Sequence, residues 1–330
     1  MTTRLKNVVL LHQQITDPNA EDQLDTLVQI KNVNEAIIAL GYDPLIKQVS
    51  PENLTSILPE LKTAEFVFNL VEMEGRFLHL VPALLDFYAI PYSGCSAEAI
   101  YLTTDKVLSK TVLRQAILPT AEWYDPKTSS SAVPLENKRV IVKSIVEDAS
   151  INIDDSSVKT FNSGQALNDF ILDRNERLHD HFFAEEYIDG REFNISIIGP
   201  DSNPTVLPPA EMQFFNFPKD KAKIVSYAAK WEETTFEYKN TSRTFTFKDS
   251  DKKLLDELKQ ISLNCWKLFG LNAYARVDFR VDKHNRPWIL EVNANPGIAE
   301  DSGFVAAAKE SGLSYKEMIE IIIKAIRIPT

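Results

Sequence analysis

Two neighbouring stretches carry residue types suited to metal and phosphate chemistry: "YARVDFRVD" at 274–282 and "WILEVNANPG" at 288–297. In the first, Arg276, Asp278, Arg280 and Asp282 alternate with Ala275, Val277, Phe279 and Val281, which is the period of a strand. In the second, an apolar run ends on Glu291, Asn293 and Asn295 just before Pro296 and Gly297. A hairpin around "KHNR", centred between His284 and Asn285, sets Asp278 opposite Glu291 and Arg276 opposite Asn293 on one face. Directly opposed like charges cost about 0.2–1 kcal/mol, and more on a dry face. A hard divalent cation relieves that repulsion, because Mg²⁺ takes one or two carboxylates, oxygen donors and substrate phosphates in octahedral geometry. Asp278, Glu291 and Asn293 are therefore candidate ligands. The pattern leaves a second reading open, a solvated face of cross-strand ion pairs, since a one-residue slip turns every side chain to the other side.

Three lysines are candidates for the phosphate end. Lys143 interrupts the β-branched strand "RVIVKSIV", where a buried ammonium needs an anion, and snorkelling at the strand end is the alternative. Lys106 opens a helix after "LTTD", and Lys230 lies in "SYAAKWEE". Taken singly, Lys106 and Lys230 also read as surface lysines.

Other chemistries lack their parts. There is no GxxxxGK[ST] loop, no GxGxxG turn and no GxSxG elbow, so a P-loop, a dinucleotide cradle and a serine-hydrolase nucleophile are absent. The five histidines show no zinc spacing, and Cys95 and Cys265 suit neither a metal motif nor a disulfide framework. Lys plus Arg total 36 against 47 acids, a net charge of -11, which leans away from nucleic acid and anionic membrane while allowing a local basic pocket. No secretory signal and no long apolar run appears, so a cytoplasmic location is expected.

With 330 residues, the chain exceeds the size at which one core stops growing. Residues 1–103 alternate strands and helices, as in "NVVLLHQ" and "LDTLVQIKNVNEAIIALG", and predict a doubly wound parallel α/β domain. A small central domain is expected over 104–186 and a C-terminal domain with the metal site over 187–330. "FFAEEYIDGREFNISIIG" reads as two strands joined by an Asp189–Gly190 hairpin turn. The helix "DKKLLDELKQISLNCWKLFG" stops at Gly270, and Ser314 with Glu317 forms a capping box for the last helix.

In order, "TTDKVLSK", "VIVKSIVEDAS", "EEYIDGREF", "YAAKW", "ARVDFRV" and "ILEVNANPG" resemble the ATP-grasp superfamily, and within it the D-alanine–D-alanine ligases, from about Pro82 to the C-terminus. The resemblance implies an ATP-grasp fold, α+β in its ATP-binding part. It implies an ATP- and Mg²⁺-dependent ligase joining a carboxylate to an amine through an acyl phosphate, with release of ADP. Two Mg²⁺ ions, or Mn²⁺, are implied as cofactors on Asp278, Glu291 and Asn293. Lys106, Lys143 and Lys230 match phosphate-binding lysines, and Lys230 reaches the terminal phosphate. Glu185, Tyr187 and Ile188 match the hinge that receives adenine, and Glu192 the ribose contact. Arg276 matches the arginine on the tetrahedral oxyanion, and Gly297 and Ser302 match contacts to the substrate carboxylate. Small carboxylate and amine partners are implied, and homodimers are common among the related ligases.

The sequence departs from that pattern on the amino-acid side. The Gly-rich N-terminal turn and its glutamate are missing, as is a histidine after "FNL". The lid serine and the tyrosine after the phosphate lysine are replaced by Ala149, beside Ser150, and by Trp231. The lid segment "EDASINID" lacks the usual glycines. Arg280 stands where an apolar residue faces the nucleotide, with a stem long enough to cover a base. The implied reaction is therefore expected on a changed substrate pair, with Ala149, Ser150 and Trp231 at the altered site. The alternative is a catalytically degenerate ATP-binding regulatory or interaction protein.

Overall fold

The computed structural model describes residues 6–17, 21–73, 75–129, 135–147 and 153–328. Ala149 and Ser150 of the expected lid lie outside the described residues.

The N-terminal part runs β1 (Lys6–Gln13), α1 (Glu21–Ala39), β2 (Tyr42–Val49), α2 (Leu58–Leu61), β3 (Val67–Leu70), α3 (Leu80–Phe87) and α4 (Ala97–Thr104). Its three strands are parallel in the order β2-β1-β3. Both faces of β1 are apolar because both are covered: Val8 and Leu10 pack in one core cluster, Val9 and Leu11 in another. Two-sided burial is what an unbroken run such as "VVLL" encodes, and it matches the expected doubly wound layer.

The chain continues with α5 (Lys106–Gln115), β4 (Trp123–Tyr124), β5 (Arg139–Ser144), β6 (Val158–Thr160), α6 (Gly164–Leu178) and β7 (Phe182–Glu186). These strands form an antiparallel sheet in the order β4-β7-β5-β6. A larger antiparallel sheet follows, from β8 (Gly190–Gly199), β9 (Thr205–Val206), β10 (Ala210–Phe214), α7 (Tyr227–Trp231), α8 (Phe236–Lys239), β11 (Thr241–Thr244), α9 (Lys252–Leu268), β12 (Ala273–Asp282) and β13 (Pro287–Ala294). Its order is β11-β10-β8-β12-β13, with β9 on β8. Helices α10 (Gly303–Glu310) and α11 (Tyr315–Lys324) close the chain, and α11 starts at the expected Ser314–Glu317 capping box.

The expected Asp189–Gly190 hairpin does not form. Strand β7 pairs with β4 and β5, whereas β8 pairs with β12, β10 and β9, so residues 187–189 cross from one sheet to the other. Gly190 is needed for close approach instead of a tight turn: its φ is +153°, and a Cβ there would lie 2.0 Å from Val281 O.

The 273–294 hairpin does form, and Asp278 pairs with Glu291 and Arg276 with Asn293. The turn is centred differently from the expectation, because Val281 pairs with Pro287 and Arg280 with Trp288. The shift between Asp278 and Phe279 leaves Leu290 as the extra residue of a bulge, which restores the register of the polar face.

Gly190→Ala should destabilise the protein by about 1–3 kcal/mol or more, as an enforced overlap does. Asp189→Ala, at an exposed position, should change stability by no more than about 0.5 kcal/mol. Urea midpoints of the two variants check this.

Candidate active site

Each polar side chain of the hairpin face meets a specific partner. Arg276 donates from Nε to Asp278 Oδ1 and from Nη2 to Asp278 Oδ2, both at 2.7 Å. Asn194 on β8 donates to Asp278 Oδ1 at 2.7 Å. Asn293 turns its amide nitrogen to Asp278 Oδ2 (3.0 Å) and Glu291 Oε1 (3.2 Å). Asp278 is only 5% exposed, so its carboxylate is not solvated, while Arg276, Glu291 and Asn293 beside it are half-buried. Arg276, two residues along the same strand, supplies the compensation that the opposed carboxylates need.

Four cations act on Glu291. Burial alone would raise its carboxyl, and Lys106, Lys143, Lys230 and Arg276 together hold it well below the ordinary carboxylate range. Asp278 goes the other way, pushed up by burial and by Glu291 against the pull of Arg276. Lys106 is the first residue of α5, which Asp105 caps, and its Nζ donates to Glu147 O at 2.9 Å. Lys230 lies in the last turn of α7, next to its final residue Trp231, and burial and then Arg276 lower its ammonium pKa. Lys106, Glu291 and Asn293 line one small cavity of about 20 Å³. That is room for one water-sized occupant. A hard cation fits this donor set if the Asn293 amide rotates to present its oxygen.

Lys143 does not snorkel. Its Nζ lies 2.5 Å from Glu185 Oε1, and Lys110 Nζ lies 2.5 Å from Glu185 Oε2. Lys110 and Glu185 are each 1% exposed. Burial would raise the Glu185 carboxyl, but Lys110 and Lys143 outweigh it and hold it low. Lys110 also donates to Thr120. Glu185 thus anchors lysines with its side chain, a role beyond the backbone contact implied at the hinge. Lys110 escaped the sequence reading because a lysine on α5 looks like a solvated residue; its spacing of four from Lys106 on the same helix face was the available signal.

The hinge backbone is partly committed. Tyr187 N donates to Arg139 O at 2.9 Å, and Ile188 O accepts from Arg280 Nε at 2.9 Å. The Arg280 guanidinium therefore turns back onto the hinge, and its stem is not a free cover for a base. Glu192 is paired with Arg280 at 3.1 Å.

At the other end, Asn295 adopts a left-handed φ of 56° and accepts from Cys95 N at 2.8 Å. Gly297 precedes Ile298, whose N–H donates to Gln29 of α1 at 2.9 Å. Ser302 caps α10 by accepting from Val305 N. Trp231 is half-buried, with an indole nitrogen that has no acceptor among the described residues. Gln29 and Asp25 were missed as contributors from α1, although Gln29 and Thr26 are polar residues on a buried helix face. Gln29 also donates to Asp25 at 3.0 Å. Burial and then Asp301 push the Asp25 carboxyl up to about 6.

Two measurements follow. Glu185→Gln leaves Lys110 and Lys143 buried without a counter-charge and should cost about 3–5 kcal/mol in urea unfolding, part of it recovered by adding Lys110→Met. Because the folded Asp25 pKa is raised, its protonated form is favoured in the fold, and stability is lost as pH rises through about 6. Asp25→Asn should therefore be more stable than wild type at pH 8 by about 1–2 kcal/mol, the shift being discounted for solvent that still reaches the carboxyl. Below the ordinary aspartate pKa the two proteins should unfold alike.

The family model described as the D-ala D-ala ligase C-terminus matches residues 120–324. Uncharacterized protein y4sG of Sinorhizobium fredii is 31% identical over 301 residues, covering 88% of this chain and 85% of its own. The D-alanine–D-alanine ligase of Aquifex aeolicus is 28% identical, over 89% of this chain and 92% of its own. A crystal structure of the Bacillus anthracis D-alanine–D-alanine ligase complexed with ATP superposes with a TM-score of 0.73 at 20% identity, over 98% of this chain and 97% of that one. That structural likeness is one of fold, whereas the family model spans more than half of this chain. On that match the chain belongs to the D-alanine–D-alanine ligase family of the ATP-grasp superfamily.

Proposed function

We propose that the protein is an ATP- and Mg²⁺-dependent carboxylate–amine ligase that works through an acyl phosphate and releases ADP. The observation that carries this reading is the gathering of Lys106, Lys143, Lys230 and Arg276 around Glu291, in a chain whose net charge is -11. Such a concentration of positive charge beside two opposed carboxylates suits a metal–polyphosphate ligand. Family membership supports ATP-dependent ligase activity, and relatives of this chain are named D-alanine–D-alanine ligases. The domain limits proposed are 1–103, 104–186 and 187–330. Each of the three sheets falls within one of these spans, with β7 ending at Glu186 and β8 beginning at Gly190 on either side of the last boundary.

In this reading Lys106 and Lys143 hold the inner phosphates and Lys230 the terminal one. Asp278, Glu291 and Asn293 would hold Mg²⁺, which supplies charge neutralisation on the transferred phosphoryl group. A substrate carboxylate oxygen attacks the terminal phosphorus, the bond to ADP breaks, and an acyl phosphate forms. The amine nitrogen then attacks the acyl carbon, and the guanidinium of Arg276 stabilises the oxyanion. Collapse expels phosphate, the nitrogen loses its proton, and an amide remains. Most of the work assigned to the protein is positioning and electrostatic stabilisation.

The substrate pair is proposed to differ from two D-alanines, with Trp231, Ala149, Ser150, Gly297 and Ser302 around it. Asp25 and Gln29 extend that end of the site. A second reading, a degenerate nucleotide-binding regulatory protein, draws on one observation: both nitrogens that Arg276 directs at Asp278 are committed to it. No transmembrane helix weighs on either reading, since no helix among the described residues is long and apolar enough to cross a membrane.

The test is ADP release over pooled carboxylic acids and amines, D- and L-amino acids included. Turnover should need one of each, and AMP with pyrophosphate as products would overturn the ligase reading. Lys230→Ala and Arg276→Lys should each lower kcat by about 10²-fold or more. If both variants keep the protein's biological role, the regulatory reading stands instead.

A further inference from the structure

Arg280 is 3% exposed and lies between three segments of chain. Its Nε donates to Ile188 O (2.9 Å), Nη2 to Gly190 O (3.0 Å), and Nη1 to both Lys223 O (2.9 Å) and Glu192 Oε2 (3.1 Å). A guanidinium has five N–H groups, so these four bonds leave only one N–H, on Nη2, for any other acceptor, and the group is committed to the protein's own backbone and Glu192. The Tyr187 ring lies against Arg280 on one approach (5.5 Å) and Arg139 on another (4.8 Å). Tyr187 OH meets the Lys223 backbone as well, accepting from its N at 3.1 Å and donating to its O at 3.3 Å. Lys223 is thereby gripped by the hinge and by β12 together, shortly before Ser226 caps α7, which carries Lys230. Glu192 lies opposite Arg280 in the β8–β12 register. One of its carboxylate oxygens takes the guanidinium, and the other still has lone pairs for hydroxyl donors.

We propose that Arg280 is a positioning residue of the nucleotide pocket: it locks the hinge to the segment bearing Lys230 and holds Glu192 as an aimed carboxylate acceptor for the ribose hydroxyls of a nucleoside triphosphate. The inference rests on the nucleotide reading above and adds to it a residue that never touches the ligand. It explains why a long cation can stand where the family resemblance implies an apolar residue, since the charge is spent on carbonyls and one carboxylate. It also makes the ribose contact already implied for Glu192 depend on Arg280. A buried acceptor without its donor is costly, so a nucleotide lacking both hydroxyls should bind more weakly.

The test is calorimetric titration of the full chain, with Mg²⁺ present, by ATP and by 2′,3′-dideoxy-ATP. Wild type should favour ATP by at least about tenfold, the size expected for hydrogen bonds to a charged group. Arg280→Met should reduce that preference to within about threefold, Glu192→Gln should do the same, and the double variant should lose no more than either alone. Arg280→Lys should keep part of the preference, because an ammonium still faces Glu192 but cannot reproduce the fork. Where Arg280→Met does not fold, Arg280→Gln retains an amide for the hinge carbonyls and should show the same loss. An unchanged ATP preference in the Arg280 variants overturns the inference, whether both nucleotides weaken equally or neither does. Failure of wild type to bind ATP at all overturns the nucleotide reading itself.

Discussion

The opposition of Asp278 and Glu291 across β12 and β13 is the constraint around which the site is arranged. Two carboxylates cannot be placed face to face on a sheet largely closed to water unless positive charge surrounds them. Arg276 answers for Asp278 from the same strand, while lysines from α5, β5 and α7 answer for Glu291. Cations from three different elements converge on one strand pair, so the charge pattern ties the two antiparallel sheets together. The Leu290 bulge keeps the register, and without it one strand's polar residues would face the core.

The crossing between those sheets is built from ion pairs whose partners are all buried. Lys110, Glu185 and Lys143 form one group on the side of the smaller sheet; Glu192 and Arg280 form another on the larger. Residues 187–189 run between them, and Gly190 lets β8 press directly against the Val281 carbonyl. Buried pairs of this kind gain little net stability over apolar packing, but breaking one is expensive. Their use here is to fix where ammonium and carboxylate groups point.

The polar face of the hairpin was legible because period two and a short loop constrain which residues oppose one another. Its turn was not, since "KHNR" gives no dominant turn signal and the bulge at Leu290 is visible only once the strands are paired. Asp189–Gly190 misled for a related reason: the dipeptide marks a change of direction, and whether the flanking strands then pair depends on which sheets they join. Lys143 was legible as a lysine needing an anion, yet the identity of that anion was not, because Glu185 is far away in sequence. Arg280, Asp25 and Gln29 are ordinary surface residues by type, and only tertiary packing makes them buried or half-buried. The N-terminal layer was the easiest part, its alternating apolar runs and helical stretches leaving few other arrangements.

The central claim is that the Asp278–Glu291 face and its cations form a metal–nucleotide site. Equilibrium binding of ATP, measured with and without Mg²⁺ on wild type and Glu291→Gln, tests it most directly. The account predicts that Mg²⁺ strengthens ATP binding to wild type and that Glu291→Gln removes most of this Mg²⁺ dependence. ATP binding that is absent, or equally strong with and without Mg²⁺ in both proteins, would contradict it.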